Sequence, residues 1–147
     1  MQKLEYCTLL ASASRTVGRA EEFANIFSIK RAYTDYEALA ADPDIDAVYI
    51  ATTHNFHFEN IKLCLENGKH VLCEKPFTVN AQLTNTLFTL AKNSNCFMME
   101  CLWTRFLPAI KHLSHLLAQD ILGDIHTVKA NFSICGDFPP EHRLRNK

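Results

Sequence analysis

The sequence predicts an α/β fold: a parallel sheet covered by helices on both faces, followed by the start of a second domain. Three observations carry this. Apolar runs alternate with amphipathic helical stretches as far as residue 119. The runs "YCTLLASAS", "DAVYIAT" and "HVLCE" are apolar on both faces, as strands are when helices cover both sides of a sheet. From residue 124 the pattern changes to an alternation of apolar and polar residues.

The elements follow in order. "YCTLLASAS" (6–14) reads as a buried strand. "TVGRAEEFANIF" reads as a helix with Val17, Ala20, Phe23, Ala24 and Phe27 on its inner face. "KRAY" is a short strand. Thr34 stands three residues before Glu37, a capping box for a helix that stops before Pro43. "DAVYIAT" (46–52) is the next strand. "NFHFENIKLCLEN" is a helix that ends at Gly68, which suits a left-handed terminal position. "HVLCE" is a strand, and Asn80 caps the helix that presents Leu83, Leu87, Leu90 and Ala91. "CFMME" is a strand. "RFLPAIKHLSHLLAQ" is a helix with Pro108 in its first turn and Leu107, Ile110, Leu113 and Leu117 inward. Each connection has the length of a crossover unit, so the strands run parallel.

In "DIHTVKANFSI" (124–134), Val128, Ala130, Phe132 and Ile134 alternate with polar residues, which predicts a half-exposed strand of an antiparallel sheet. The predicted division is therefore a parallel α/β domain over 1–122 and the start of a second domain over 123–147.

Composition narrows the function classes. The 147 residues suffice for one domain with a core, with 48 % apolar and 21 % charged residues. A formal net charge of −1 exerts no bulk pull toward nucleic acid or membrane. No apolar run approaches the ~18 residues of a membrane span. The opening "MQKLEY" has no apolar signal core, so a cytoplasmic location is expected. The six cysteines, at 7, 64, 73, 96, 101 and 135, include no C-x-x-C pair and read as small hydrophobes in a reducing compartment. The "NFS" sequon at Asn131 is silent in such a compartment.

Open parallel sheets bind ligands beyond the carboxyl ends of their strands. Four loops follow such ends: Ser14-Arg15, Thr52-Thr53-His54, Glu74-Lys75-Pro76, and Glu100 to Arg105. Arg15 and Arg19 are spaced i, i+4, so that on a helix start both can face one phosphate. A solvated helix face is the plain alternative. An acidic residue at that strand end would bind a ribose 2′-hydroxyl; Ser14 stands there instead and favours a 2′-phosphate, hence NADP over NAD. His54 and His57 lack a third ligand of clear spacing, so no metal is expected. "HFE" (57–59) imitates a deaminase motif, but no P-C-x-x-C follows. His112 and His115 have ordinary helical spacing. Lys75 precedes Pro76, which drives it into an extended exit from its strand. A strand-end salt bridge with Glu74 is the plain alternative there.

Three stretches, "DPDIDAVYIATTHNFH", "GKHVLCEKPFTVNA" and "MMECLWTRFLPAI", resemble the glucose–fructose oxidoreductase / inositol dehydrogenase / rhizopine-catabolism (Gfo/Idh/MocA) oxidoreductases. "CLWTRFLPA" and the His-x-x-His pair look most like the branch of dimeric trans-1,2-dihydrobenzene-1,2-diol dehydrogenases and NADP-dependent D-xylose dehydrogenases. The resemblance implies an oxidoreductase acting on a CH–OH group of a trans-dihydrodiol or an aldose sugar. It implies that Lys75 transfers a proton and that Pro76 is often cis. Glu74 would lie near the nicotinamide ribose, and Thr52, Thr53, His54 and His57 along the cofactor. Trp103 and Arg105 would close over it, and Arg15 and Arg19 would select NADP. A homodimer is implied for the full-length family.

Two departures shape the expectation for this chain. The family opens with a strand and a Gly-x-Gly loop that cradles the pyrophosphate, and only Gly18, Gly68, Gly123 and Gly136 occur here, scattered. In the strand order 3-2-1-4-5-6 that strand is central, so its absence would leave the first and third strands here unpaired, in an incomplete Rossmann-type parallel sheet. The resemblance thus implies a partial NAD(P)-binding Rossmann domain over 1–122 and the first strand of a truncated α+β substrate or dimerisation domain over 123–147. The family also continues into catalytic residues and a large sheet beyond "EHRLRNK". The isolated chain is therefore expected to turn over weakly. Two further readings stand beside the fragment of a dehydrogenase: an inactive truncated isoform or pseudoenzyme that binds a full-length partner, and an incomplete gene model.

Overall fold

The structure, a computed structural model, describes residues 4–133 and residue 136. The chain divides into two compact units between Thr104 and Arg105.

The first unit runs β1 (Ala11–Ala13), α1 (Arg19–Phe27), β2 (Arg31–Tyr33), α2 (Tyr36–Ala41), β3 (Ala47–Ile50), a 3₁₀ turn (His54–Phe56), α3 (His57–Glu66), β4 (His70–Cys73), α4 (Ala81–Asn93) and β5 (Met98–Glu100). All strand pairs are parallel. They form two sheets, β1–β2 and β3–β4–β5. In the second, Tyr49 pairs with Leu72 and Leu72 with Met99. Among the described residues, β1 and β3 each keep one edge free of any paired strand. No strand pair joins the two sheets among the described residues.

The core lies on the three-stranded side. Ile61 and Leu65 of α3 and Leu87 of α4 are fully buried against Val71, Cys73 and Ile50. Each such side chain contributes roughly 1.5–3 kcal/mol. Phe77, just after β4, closes this cluster. The Asn80 side-chain oxygen accepts from Leu83 N at 2.9 Å and caps α4 as expected. Gly68 has φ +72°, the left-handed backbone expected after α3.

On the two-stranded side several expectations need correction. Gly18 adopts φ +77° and α1 starts only at Arg19. Val17 therefore precedes the helix and is 91 % exposed, and the buried face of α1 is Ala20 and Ala24, with Phe23 exposed. The cap of α2 is Asp35 rather than Thr34: the Asp35 carboxylate accepts from Ala38 N at 2.6 Å. An ionised acceptor at the first turn outcompetes the threonine hydroxyl. The first strand is confined to three residues, since 5–6 form a turn.

A polar cluster joins the two sides where the strands do not. Asp42 Oδ2 accepts from Arg31 Nη1 at 2.6 Å and from Tyr33 OH at 2.7 Å. Buried Lys69, just before β4, donates to the Asp42 carbonyl oxygen at 2.7 Å. Arg31 first, then the Asp44 amide, lower the Asp42 pKa to about 2. A carboxylate held below its ordinary value of 3.8 supplies stability at pH above about 4 and loses it as pH falls toward 2. Asp42→Asn is therefore expected to be less stable than the parent at neutral pH. Its stability should also fall less steeply between pH 4 and pH 2, read by urea denaturation at each pH. Parallel curves would show that Asp42 contributes nothing specific.

Cys64 and Cys73 are buried, and burial raises their thiols to about 11 and about 12. These two fit the small-hydrophobe reading. Cys7 is exposed, and Cys96 and Cys101 are half-buried, so that reading does not extend to all. Cys135 lies outside the described residues.

In the second unit, α5 (Pro108–Ala118) has Pro108 in its first turn, where the missing N–H costs nothing. Its apolar stripe is not buried within this unit. Leu107, Ile110, Leu113 and Leu117 are 38–45 % exposed. Residues 124–133 carry no strand, and Val128 and Phe132 are more than 80 % exposed. A period-two pattern becomes a strand only against a paired edge, and the described residues of this unit offer none. Ile134 lies outside the described residues.

Candidate functional site

The carboxyl ends of β1, β3 and β4 carry the polar residues expected of a ligand site. β4 ends in Cys73, and Glu74 N still donates to Ile50 O at 2.9 Å. The chain then turns through a cis Lys75–Pro76 peptide. Lys75 is exposed, and its ammonium has no hydrogen-bond or ion-pair partner among the described residues. The strand-end salt bridge considered for Lys75 is thus not formed.

Glu74 is held from two sides. Tyr49 OH donates to Oε1 at 2.7 Å, and Lys75 N donates to Oε2 at 3.2 Å. Tyr49 chiefly, with the Lys75 amide and charge, keeps the Glu74 carboxyl below its ordinary value. The same bond pushes the Tyr49 phenol up to about 12. Tyr49 is a residue that sequence reasoning missed. A tyrosine in an otherwise apolar strand needs a partner for its hydroxyl, and that need was its only signal.

His57, the first residue of α3, is 1 % exposed. Its Nδ1 lies 2.8 Å from the Pro76 carbonyl oxygen and its Nε2 3.0 Å from the Thr52 carbonyl oxygen. It thus clamps the loop after β3 to the turn after β4. Asn60 donates to Thr52 Oγ1 at 3.0 Å and steadies the same loop. Glu100, at the end of β5, accepts from Phe77 N at 2.8 Å and holds the far side of the turn. Neither Asn60 nor the accepting role of Glu100 was read from the sequence. Thr53 and His54 are exposed on the loop.

At the end of β1, Ser14 N donates to Tyr33 O at 3.2 Å, and Ser14 Oγ accepts from Thr16 N at 3.2 Å. Arg15 lies in the bend before α1, so the helical i, i+4 argument for Arg15 and Arg19 fails. Both side chains are exposed, with no carboxylate partner among the described residues. The Arg15 guanidinium stands over the Phe56 ring at 4.1 Å and 5.8 Å from the Tyr36 ring. Trp103 is 54 % exposed, and Arg105 begins the second unit.

A family model described as "Oxidoreductase family, NAD-binding Rossmann fold", that of Gfo/Idh/MocA, matches residues 2–101. The chain belongs to this family. Pig trans-1,2-dihydrobenzene-1,2-diol dehydrogenase is 46 % identical over 124 residues, which cover 84 % of this chain and 37 % of that enzyme. The chain thus spans little more than a third of this relative's length. A 3-ketoreductase from Actinomadura kijaniata, solved with TDP-benzene and NADP, shares 32 % identity at TM-score 0.68 over 76 % of this chain and 35 % of its own. The scyllo-inositol dehydrogenase of Lactobacillus casei, solved with NAD(H) and scyllo-inositol, shares the fold at TM-score 0.75 and 24 % identity, over 83 % of this chain and 36 % of its own. Gfo/Idh/MocA neighbours thus bind either nicotinamide cofactor.

The chemistry of the residues present is compatible with such a dinucleotide: the exposed Arg15, beside the Phe56 ring, can donate to a phosphate, and the Glu74 carboxylate at the end of β4 can accept from a hydroxyl. A glycine-rich pyrophosphate loop is not among the residues of this chain.

Proposed function

We propose that this chain forms the cofactor side of an NADP-dependent dehydrogenase that oxidises a CH–OH group of a trans-dihydrodiol or aldose sugar. The observation that carries the reading is the turn after β4, where a Lys75 side chain with no hydrogen-bond or ion-pair partner among the described residues follows a Glu74 carboxylate oriented by Tyr49. The bound nicotinamide supplies the hydride acceptor. Lys75, as its neutral amine, takes the proton of the substrate hydroxyl and becomes the ammonium, and Glu74 orients the nicotinamide ribose. Thr52, Thr53 and His54 line the cofactor on a loop that His57 holds in place. Arg15 and Arg19 grip the adenosine 2′-phosphate beside Ser14, where an acid would have repelled it. Trp103 covers the cofactor. The buried free thiols Cys64 and Cys73 suit a reducing cytoplasm.

The test is a chimera in which this chain replaces the matching 124 residues of the pig enzyme. It is expected to reduce NADP with trans-diols or aldoses. Replacing Arg15 and Arg19 with methionine should weaken NADP by about tenfold or more relative to NAD, the scale of lost charge-assisted hydrogen bonds. Equal weakening overturns the cofactor assignment, and no turnover with either cofactor overturns the reaction.

A further inference from the structure

The Arg15–Phe56 stack joins parts of the first unit that no strand pair connects. Arg15 follows β1, and Phe56 ends the 3₁₀ turn after β3. These strands belong to separate sheets, and the carboxyl ends of its strands are where an open α/β sheet takes a nucleotide. Phe56 is half-buried and its position is fixed: its amide donates to Thr53 O at 2.9 Å, and His57 is the buried clamp beside it. Arg15, in contrast, is exposed and lies in a bend. A guanidinium held over a ring is engaged through its charge, and its N–H groups stay available as donors to a phosphate. Tyr36, the first residue of α2, adds a second ring near the same group. A free arginine loses rotamer entropy when it grips a phosphate; one already stacked loses less.

We propose that Phe56 is a positioning residue for nucleotide selection: its ring presents the Arg15 guanidinium to an adenosine 2′-phosphate. The inference rests on the reading of Arg15 as a 2′-phosphate ligand. Phe56 does not touch the phosphate; it acts through Arg15.

The test uses the chain itself and two small probes, adenosine 2′,5′-bisphosphate and adenosine 5′-monophosphate, titrated by NMR. The parent should prefer the bisphosphate. Phe56→Leu, which keeps the apolar bulk without the ring, should lower that preference about two- to fivefold, the size of a cation–π contact at a partly exposed site. Phe56→Tyr keeps the ring and should restore the preference. The ratio of the two affinities separates this role from loosening of the loop, which moves both probes together. If Arg15→Met lowers the preference and Phe56→Leu leaves it or raises it, the inference falls and the reading of Arg15 stands. If Arg15→Met leaves the preference intact, or the parent binds neither probe, both fall.

Discussion

Replacing His57 with leucine lowers the stability of the chain by about 2–3 kcal/mol, the cost of stranding a buried carbonyl and loosening its neighbour. The imidazole is 1 % exposed and lies between two main-chain oxygens, Pro76 O and Thr52 O. Both oxygens only accept, and a ring N–H is what can donate to them; a neutral imidazole satisfies one of the two at a time. Leucine fills similar space and donates nothing. The loss should lower Tm by roughly 6–10 °C for a chain of this size. His54→Leu is the control, because His54 is exposed and its replacement should stay within about 0.5 kcal/mol. Hydrogen exchange locates the effect. The Phe77 amide, held by Glu100 Oε1 at 2.8 Å, should exchange faster in the His57 variant as the turn loosens. A variant as stable as the parent would remove His57 from the account of how the site is held.

The ease with which the fold was read has a physical basis. Alternation of apolar strands with helices is written locally, so element type and order were legible. So were the Asn80 cap and the Gly68 terminus, each of which needs only one residue and its immediate neighbours. The parallel pairing of the strands was legible too, because strand direction follows from connection rules rather than from side chains. What was hidden depends on partners. Leu113 and Leu117 have the spacing of a buried face, but spacing cannot supply the surface that covers them. Arg15 and Arg19 have the spacing of a helical pair, yet Gly18 starts the helix only after Arg15. The site was half legible in the same way. The strand-end loops announced themselves by their polar residues. The Tyr49–Glu74 bond and the Arg15–Phe56 stack join distant stretches and required the folded arrangement.

The largest functional effect is expected at Lys75. In the chimera with the pig enzyme, Lys75→Met should lower kcat by about 10²–10⁴, the range contributed by a positioned proton-transfer group. The binding of NADP should change little, because the ammonium makes no hydrogen bond or ion pair among the described residues. Stability should likewise stay within about 0.5 kcal/mol of the parent, since Lys75 is exposed. Two explanations of such a loss must be separated: a lysine that accepts a proton and a lysine that only supplies positive charge. Lys75→Arg distinguishes them. A guanidinium keeps the charge but does not give up its proton in a protein. If Lys75 accepts the proton of the substrate hydroxyl, the arginine variant fails nearly as badly as the methionine variant. If the arginine variant turns over like the parent, Lys75 acts by charge alone, and another group must take the proton. Tyr49→Phe gives the companion measurement. It removes the hydroxyl that orients Glu74 while leaving Lys75 in place. It should raise KM for NADP more than it lowers kcat if, as proposed, Glu74 orients the cofactor and Lys75 meets the reacting hydroxyl. The opposite split would place the proton-transfer role on the carboxylate rather than on the lysine.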